Sequence, residues 1–159
     1  MDGQKILITG VAGFIGFHLV KAVAKDYPGF EIHGLDNVND YYDPQLKSDR
    51  LARLTADPNY RHARIDLEDA AAVMALFAEE RPAGVVNLAA QAGVRYSLEQ
   101  PATYVQSNVV GFLSVLEACR AHPPAHLVYA STSSVYGANG KLPFAVVDAA
   151  THPITLYAA

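Results

Sequence analysis

Tryptophan is absent from the 159 residues, methionine occurs twice and cysteine once, at Cys119. A single cysteine rules out a disulfide framework within the chain and suits a reducing compartment; lying in a helical apolar pattern, it reads as one more packing residue. Basic charge is also scarce: 12 Lys and Arg stand against 16 Asp and Glu, giving a formal net charge of -4 and a pI near 5.8. Without a basic footprint, nucleic acid and anionic membrane are excluded as main partners, and any anion has to be bound locally. No apolar run approaches the length of a membrane span, and Met1-Asp2-Gly3-Gln4-Lys5 lacks the apolar centre of a secretion signal, so the expected compartment is the cytoplasm. Internal repeats and low-complexity tracts are missing too. What remains, 51% hydrophobic and 18% charged residues, is enough for one domain with a core and short for two.

The chain is organised around Gly10-Val11-Ala12-Gly13-Phe14-Ile15-Gly16, which joins the apolar run Ile6-Leu7-Ile8 to an amphipathic helical pattern with no room for a loop. A strand turns into a helix there. Glycine at the first position permits a tight turn, at the second it lets backbone N–H groups approach a diphosphate, and at the third it lets helix and strand pack closely. The opening of the helix then presents unpaired donors and partial positive charge to an anion. Three glycines alone are a weak pattern, because glycines also gather in ordinary turns. Context strengthens them. A second apolar run, Glu31-Ile32-His33-Gly34-Leu35, ends at Asp36, roughly 20 residues beyond the last glycine, where dinucleotide folds place a carboxylate on the ribose hydroxyls.

Strand and helix patterns alternate from end to end, so the expected fold class is α/β, a doubly wound parallel sheet with helices on its faces. Phe14, Ile15, Leu19, Ala22 and Val23 fall on one side of the first helix and are expected to cover the sheet. Tyr27-Pro28-Gly29 stops that helix, and a second strand follows over 30–35. Asn37 to Pro44 is turn-rich, and Leu46, Lys47, Arg50, Leu51 and Leu54 then recur at helical spacing. We read a loop and a short helix, for which a plain surface crossover and a cofactor-side role stand equal. A third strand over 60–65 ends in Asp66-Leu67, where Asp66 is a ligand group at the strand's carboxyl end, the N-cap of a helix starting near Glu68, or both. Ala70, Val73, Leu76 and Phe77 make the next stripe, and the uncharged run 84–90 a doubly buried fourth strand. From 102 to 122, Val105, Val109, Phe112, Leu113, Leu116 and Cys119 repeat with helical period, interrupted by Asn108 and Gly111. A buried asparagine must have its hydrogen bonds satisfied, so Asn108 either ties down backbone or helps hold a site. The fifth strand, 126–130, leads into Ser131-Thr132-Ser133-Ser134, a hydroxyl run that by itself reads as turn chemistry. Residues 137–151 are a loop, and 153–159 the first turn of a helix.

Taken together, Gly10 to Gly16, Asp36, Asp66-Leu67, Leu88-Ala89-Ala90, Asn108 and the pair Thr132 and Tyr157 resemble the extended short-chain dehydrogenase/reductase family, specifically its NAD-dependent nucleotide-sugar epimerases. Within these, Leu35-Asp36-Asn37-Val38-Asn39-Asp40-Tyr41-Tyr42-Asp43 with Leu46-Lys47 and Arg50-Leu51, the segment Ala90 to Ser97, and His152-Pro153-Ile154 before Leu156-Tyr157 are most similar to the UDP-glucuronate 4-epimerases. The similarity spans essentially the whole chain. It implies a Rossmann-type NAD-binding domain over 1–159 that is truncated after the fifth strand, incomplete at its C-terminal end and without a substrate domain. It implies NAD as cofactor, with Gly10, Gly13, Phe14, Ile15 and Gly16 at the diphosphate, Asp36 and Asn37 at the adenosine ribose, and Asp66 and Leu67 beside the adenine. Leu88, Ala89, Ala90, Gln91, Asn108, Ala130 and Tyr157 would lie along the rest of the cofactor. Thr132 and Tyr157 would be catalytic, and Arg95, Thr132, Ser133 and Ser134 would hold a UDP-sugar. No metal is implied.

Epimerising a sugar at C4 by transient oxidation needs a base for the C4 hydroxyl proton while hydride leaves to a nicotinamide, then return of hydride to the other face of the 4-keto sugar. An ordinary phenol has a pKa of about 10, too high for a good base at neutral pH. In the family a lysine four residues after the tyrosine lowers it, together with the oxidised cofactor's charge. The sequence ends at Ala159, two positions before that lysine would fall, so negligible activity is expected of these residues alone. The same ending is expected to leave part of one sheet face and the apolar side of the helix 102–122 uncovered, and the family's homodimer interface incomplete. Family 4,6-dehydratases carry an Asp-Glu pair directly after the catalytic Ser/Thr, and decarboxylating relatives a glutamate at the position of Ser134; here Ser133-Ser134 stands instead. The alternatives are an epimerase of UDP-glucose or UDP-N-acetylglucosamine and, in a different class, an NAD-binding fragment without catalysis. Asp36 would repel a 2′-phosphate and no arginine follows it directly, which favours NAD over NADP.

Overall fold

A computed structural model describes residues 3–159. Its centre is a five-stranded, all-parallel sheet in the order β3-β2-β1-β4-β5. The strands are β1 (Lys5–Thr9), β2 (Glu31–Leu35), β3 (Tyr60–Ala63), β4 (Gly84–Asn87) and β5 (His126–Tyr129). Helices α1 (Phe14–Asp26) and α2 (Pro44–Leu54) cover one face, α3 (Ala70–Glu80) the other. A short helix α4 (Val94–Glu99) follows β4, and Pro101 opens α5 (Pro101–Tyr104), which runs through a π-helical turn, Val105–Val110, into α6 (Gly111–Ala121). The expected α/β doubly wound sheet is therefore what forms, with α4 as an element the sequence reading lacked.

Parallel strands buried on both faces must be apolar on both, and β1 shows this residue by residue. Leu7 joins Leu35, Val73, Phe77, Val85, Val115 and Ala118 under α3 and α6, while Ile8 joins Val11, Phe17, Val20, Ile32, Leu54 and Tyr60 under α1 and α2. Truncating a residue such as Phe77, fully buried between α3 and the sheet, would cost about 3–5 kcal/mol.

Three expectations are corrected. In α1 the buried residues are Gly16, Phe17 and Val20, with Leu19, Val23 and Ala24 beside them, whereas Phe14 and Ile15 are 68% and 65% exposed and Ala22 is exposed. The phase of the helix is set by Gly16, which must pass against the carbonyl of Gly10: a Cβ there would stand 2.1 Å from that oxygen. Residues 14, 15 and 22 consequently turn away from the sheet. The N-cap of α3 is Asp69, whose carboxylate accepts from Ala72 N–H at 3.0 Å, and not Asp66. The strands also end earlier than read, β3 at Ala63 and β4 at Asn87, because the chain there leaves the sheet to form the rim of the crevice below.

On α6 the residues facing the core are Gly111, Ser114, Val115 and Ala118. Val105, Val109, Leu113 and Leu116 stand between 40% and 62% exposed, and on β5 Val128 and Tyr129 are about half exposed, as expected for an uncovered apolar side.

Candidate functional site

Strands β1, β2 and β3 run outward to one edge of the sheet, and β4 and β5 to the other, so the carboxyl ends of β1 and β4 flank the point where the strand order reverses. Ligands of open α/β sheets bind at such a point. Here it opens into a crevice lined among others by Gly10, Gly13, Asp36, Asn37, Asp66 and Leu67. Leu88, Ala89, Ala90 and Gln91 line it too.

The floor is held by Thr9, which is fully buried. Its hydroxyl donates to Asn87 Oδ1 at 2.7 Å and accepts from the N–H groups of Leu88 and Ala89 at 3.1 and 3.0 Å. That fixes the path of the chain out of β4. Gly10, at φ +72°, turns the chain out of β1 so close to this path that a Cβ would meet Ala89 N at 2.8 Å. The expected tight turn and close helix packing are thus present in the geometry. Gly13 N–H donates to Gly10 O, and Phe17 N–H to Gly13 O, at 3.1 Å each. The amides of Phe14, Ile15 and Gly16 open α1 with no carbonyl four residues back, the arrangement that attracts an anion.

Asp36 is 8% exposed at the end of β2. One carboxylate oxygen accepts from Ala12 N–H at 2.9 Å, the other from Val38 N–H at 2.8 Å. Each oxygen keeps a lone pair for a ligand hydroxyl. Asn37 donates to Asp66 Oδ2 at 3.0 Å, so the two expected adenosine-side residues form one hydrogen-bonded wall. Asn108 lies in the π-helical turn and embraces the backbone of Gln91: its Oδ1 accepts from Gln91 N–H at 2.7 Å and its Nδ2 donates to Gln91 O at 3.0 Å. Of the two readings left open for Asn108, the structure contains the tie on backbone.

Several lining residues were given no role by sequence reasoning: Asn39, Tyr42, Lys47 and Ser107. Lys47 is 5% exposed, donates to the backbone and side-chain oxygens of Asn39, and lies 4.4 Å from the centre of the Tyr42 ring. Burial pushes its ammonium pKa down, the carboxylates of Asp36 and Asp40 pull it back up, and Arg50 lowers it further. A buried ammonium faces the same space as Asp36. Its signal in sequence was present, since it belongs to the text Asp36 to Leu51, but helical spacing alone leaves a surface crossover and a cofactor-side role equal.

A second group lies beyond the crevice. Thr132 caps a 3₁₀ turn, Ser133–Tyr136, its hydroxyl accepting from Ser134 N–H at 3.2 Å. That turn packs against another 3₁₀ turn, Leu156–Ala158, which also meets α4. The elements bearing Thr132, Ser133, Ser134, Tyr157 and Arg95 are therefore neighbours, while Ala130 follows β5 with its N–H on Asn87 O at 3.1 Å. No hydrogen bond joins Thr132 to Tyr157 among the described residues. The Tyr157 ring meets Tyr104 edge to face, with centres 5.9 Å apart and planes at 83°. Tyr104 in turn donates its hydroxyl to the carbonyls of Ala92 and Gly93, and Tyr41 donates to Ala92 O at 3.0 Å. Among the described residues no group of His, Cys, Asp and Glu has the spacing to hold a metal, and no helix is long and apolar enough to cross a membrane.

Comparison with known proteins follows the same lines. The family model described as GDP-mannose 4,6 dehydratase matches residues 7–159. A probable UDP-glucuronate 4-epimerase of Rhizobium meliloti (strain 1021) is 48% identical over 156 residues, covering 98% of this chain and 45% of that protein. In three dimensions the chain resembles UDP-glucuronic acid 4-epimerase from Bacillus cereus, solved in complex with UDP-glucuronic acid and NAD, at a TM-score of 0.87 and 30% identity over 98% of this chain and 48% of that one. It resembles the UDP-Glc/GlcNAc 4-epimerase of Campylobacter jejuni equally, at a TM-score of 0.87 and 29% identity over 98% of this chain and 45% of that one. The chain thus spans about half the length of the relatives it matches.

Proposed function

Since the chain belongs to the family described as GDP-mannose 4,6 dehydratase, we propose that its crevice binds NAD and that the protein serves the 4-epimerisation of a UDP-sugar, UDP-glucuronate to UDP-galacturonate. The observation that carries this reading is the meeting of Gly10 and Asp36 with Leu88 to Gln91 at the reversal of strand order, beside the open amides of α1. The residues fit the group: backbone donors without bulk for a diphosphate, a carboxylate with free lone pairs for ribose hydroxyls, and apolar Leu67 and Ile65 for a base. NAD, when bound, would supply a reversible hydride acceptor, so that no external oxidant is consumed.

The chain's own residues would do the rest. Tyr157 would take and return the proton of the sugar C4 hydroxyl, with Thr132 hydrogen-bonding the same oxygen and Ser133 and Ser134 holding the sugar as it turns. Arg95 would pair with the sugar carboxylate or the diphosphate as a charge-assisted partner. Despite the family's name, dehydration is the weaker reading, because Ser133-Ser134 offers no acid beside Thr132. The relatives named for glucuronate support UDP-glucuronate first; the Campylobacter neighbour keeps UDP-glucose and UDP-N-acetylglucosamine as the second reading.

Titration of the 159-residue chain with NAD and NADP tests the cofactor, and incubation of a full-length protein containing these residues with UDP-glucuronate or UDP-glucose tests the reaction. NAD binding in preference to NADP is expected, since Asp36 repels a 2′-phosphate. Preference for NADP would overturn the role of Asp36. Product from UDP-glucose and none from UDP-glucuronate would overturn the substrate; NAD binding with no product from either would leave a cofactor-binding unit without catalysis.

A further inference from the structure

Ala12, in the middle of the glycine-rich turn, is completely buried and is held from both sides by the segment that follows β2. Its N–H is taken by Asp36 at 2.9 Å. Its carbonyl oxygen accepts from Arg50 Nη1 at 2.9 Å and from the Tyr42 hydroxyl at 3.3 Å, and Arg50 also donates to that hydroxyl at 3.1 Å. Tyr42 is itself fixed by the ammonium of Lys47 over its ring, and Lys47 by Asn39. We propose that Arg50 and Tyr42 are positioning residues for diphosphate binding, which act by holding the Ala12 carbonyl. This rests on the reading of the crevice as an NAD site.

The physical reason lies in the planarity of the peptide. The carbonyl of Ala12 and the N–H of Gly13 share one rigid unit and point in opposite directions, so gripping the oxygen orients the amide as well. The preceding peptide is gripped by Asp36. Two consecutive peptide planes are therefore set by side chains, and the next amides in line, of Phe14, Ile15 and Gly16, are the ones left open at the start of α1. Glycine on both sides of the pair Val11-Ala12 makes the turn intrinsically loose, because Gly10 and Gly13 bring wide backbone freedom. Without an outside grip, a bound diphosphate would have to order the turn itself, and that ordering would weaken its binding. A guanidinium and a phenol arriving from α2 and its approach supply the grip before any ligand arrives. Their chemistry suits this role, since a carbonyl offers two lone pairs and both are taken by donors anchored elsewhere.

Binding of adenosine, ADP and NAD to the unsubstituted chain, Tyr42→Phe and Arg50→Ala is the test. Tyr42→Phe removes one oxygen and keeps the ring beneath Lys47, so it preserves the fold even if Arg50→Ala does not. Loss of the charge-assisted bond in Arg50→Ala is expected to weaken ADP and NAD by about tenfold. The neutral bond lost in Tyr42→Phe should weaken both by about threefold, and adenosine, which lacks phosphate, should change by less than about twofold in either variant. Equal weakening of adenosine and ADP would overturn the proposal, since it would mean general loosening of the site. Weakening of ADP by Arg50→Ala with none by Tyr42→Phe would also overturn it, pointing to direct contact between Arg50 and phosphate. Failure of the unsubstituted chain to bind NAD would instead overturn the function on which the proposal rests.

Discussion

Two buried hydroxyls show how differently the same group weighs at the residue scale. Thr9 satisfies three partners on the chain leaving β4, so Thr9→Val, which conserves volume, would strand two amides and an amide oxygen. A loss of about 1–3 kcal/mol is expected, read from the denaturant midpoint. Tyr60, in contrast, buries its hydroxyl over Gly34 with no hydrogen-bond partner among the described residues, and burial pushes its pKa far up. Tyr60→Phe is therefore expected to leave stability unchanged or raise it by up to about 1 kcal/mol, in the same measurement. Equal losses for the two would show that volume and not polar satisfaction governs both sites. Gly34 belongs to the same account: a Cβ on it would stand 2.2 Å from the Tyr60 oxygen, so its place in β2 reflects a neighbour on β3.

Among elements, β1, β2 and α3 are tied by a charge cluster at the end of the sheet away from the crevice. Lys5 donates to Glu80 at 2.8 Å, and His33, 5% exposed at its side chain, stands 3.3 Å from the same carboxylate. Burial opposes ionisation of Glu80, yet the hydrogen bond from Lys5 and the charges of His33 and Lys5 hold its pKa below the ordinary value. For His33 burial wins: its pKa is lowered although Glu80 pulls it upward. His62 on β3 is lowered by burial too, with Asp36 opposing and Arg64 assisting, and neither ring nitrogen has a partner among the described residues. An imidazole whose folded pKa lies below the unfolded value of about 6.5 takes up its proton first in the unfolded chain. The stability it contributes is whole above that pH and is lost as pH falls through it. Glu80, also lowered, continues the loss below the ordinary carboxylate pKa. The denaturant midpoint should accordingly fall between about pH 7.5 and pH 5, and His62→Phe should flatten part of that slope. A midpoint indifferent to pH over this range would show that both imidazoles titrate alike in the two states.

For the whole molecule, the cover of the sheet thins toward the edge strand β5. Val105, Val109, Leu113, Leu116, Val128 and Tyr129 leave apolar surface open around α6 and β5, which favours association. Replacing Leu113, 55% exposed, by glutamine is expected to reduce concentration-dependent association in sedimentation while changing stability by less than about 0.5 kcal/mol. Unchanged association would place the sticky surface elsewhere. The sequence by itself determined the alternation of strand and helix, the turn at Gly10 to Gly16 and the carboxylate at Asp36, because period, glycine spacing and the end of an apolar run are local properties. The text around Asp36 to Leu51 and Ala90 to Ser97 also carried the family likeness, although no spacing rule explains it. The rotation of α1 was decided only in three dimensions: Phe14 and Ile15 look like core until Gly16 has to pass the Gly10 carbonyl. So was the choice of Asp69 over Asp66 as the cap of α3, since both acids precede the helix and only the path of the chain separates them. Lys47, Tyr42 and Arg50 gained their places beside the glycine turn in the same way. They are distant in sequence from Ala12 and meet it only because β2 lies against β1, which carries the segment after β2 across the mouth of the crevice.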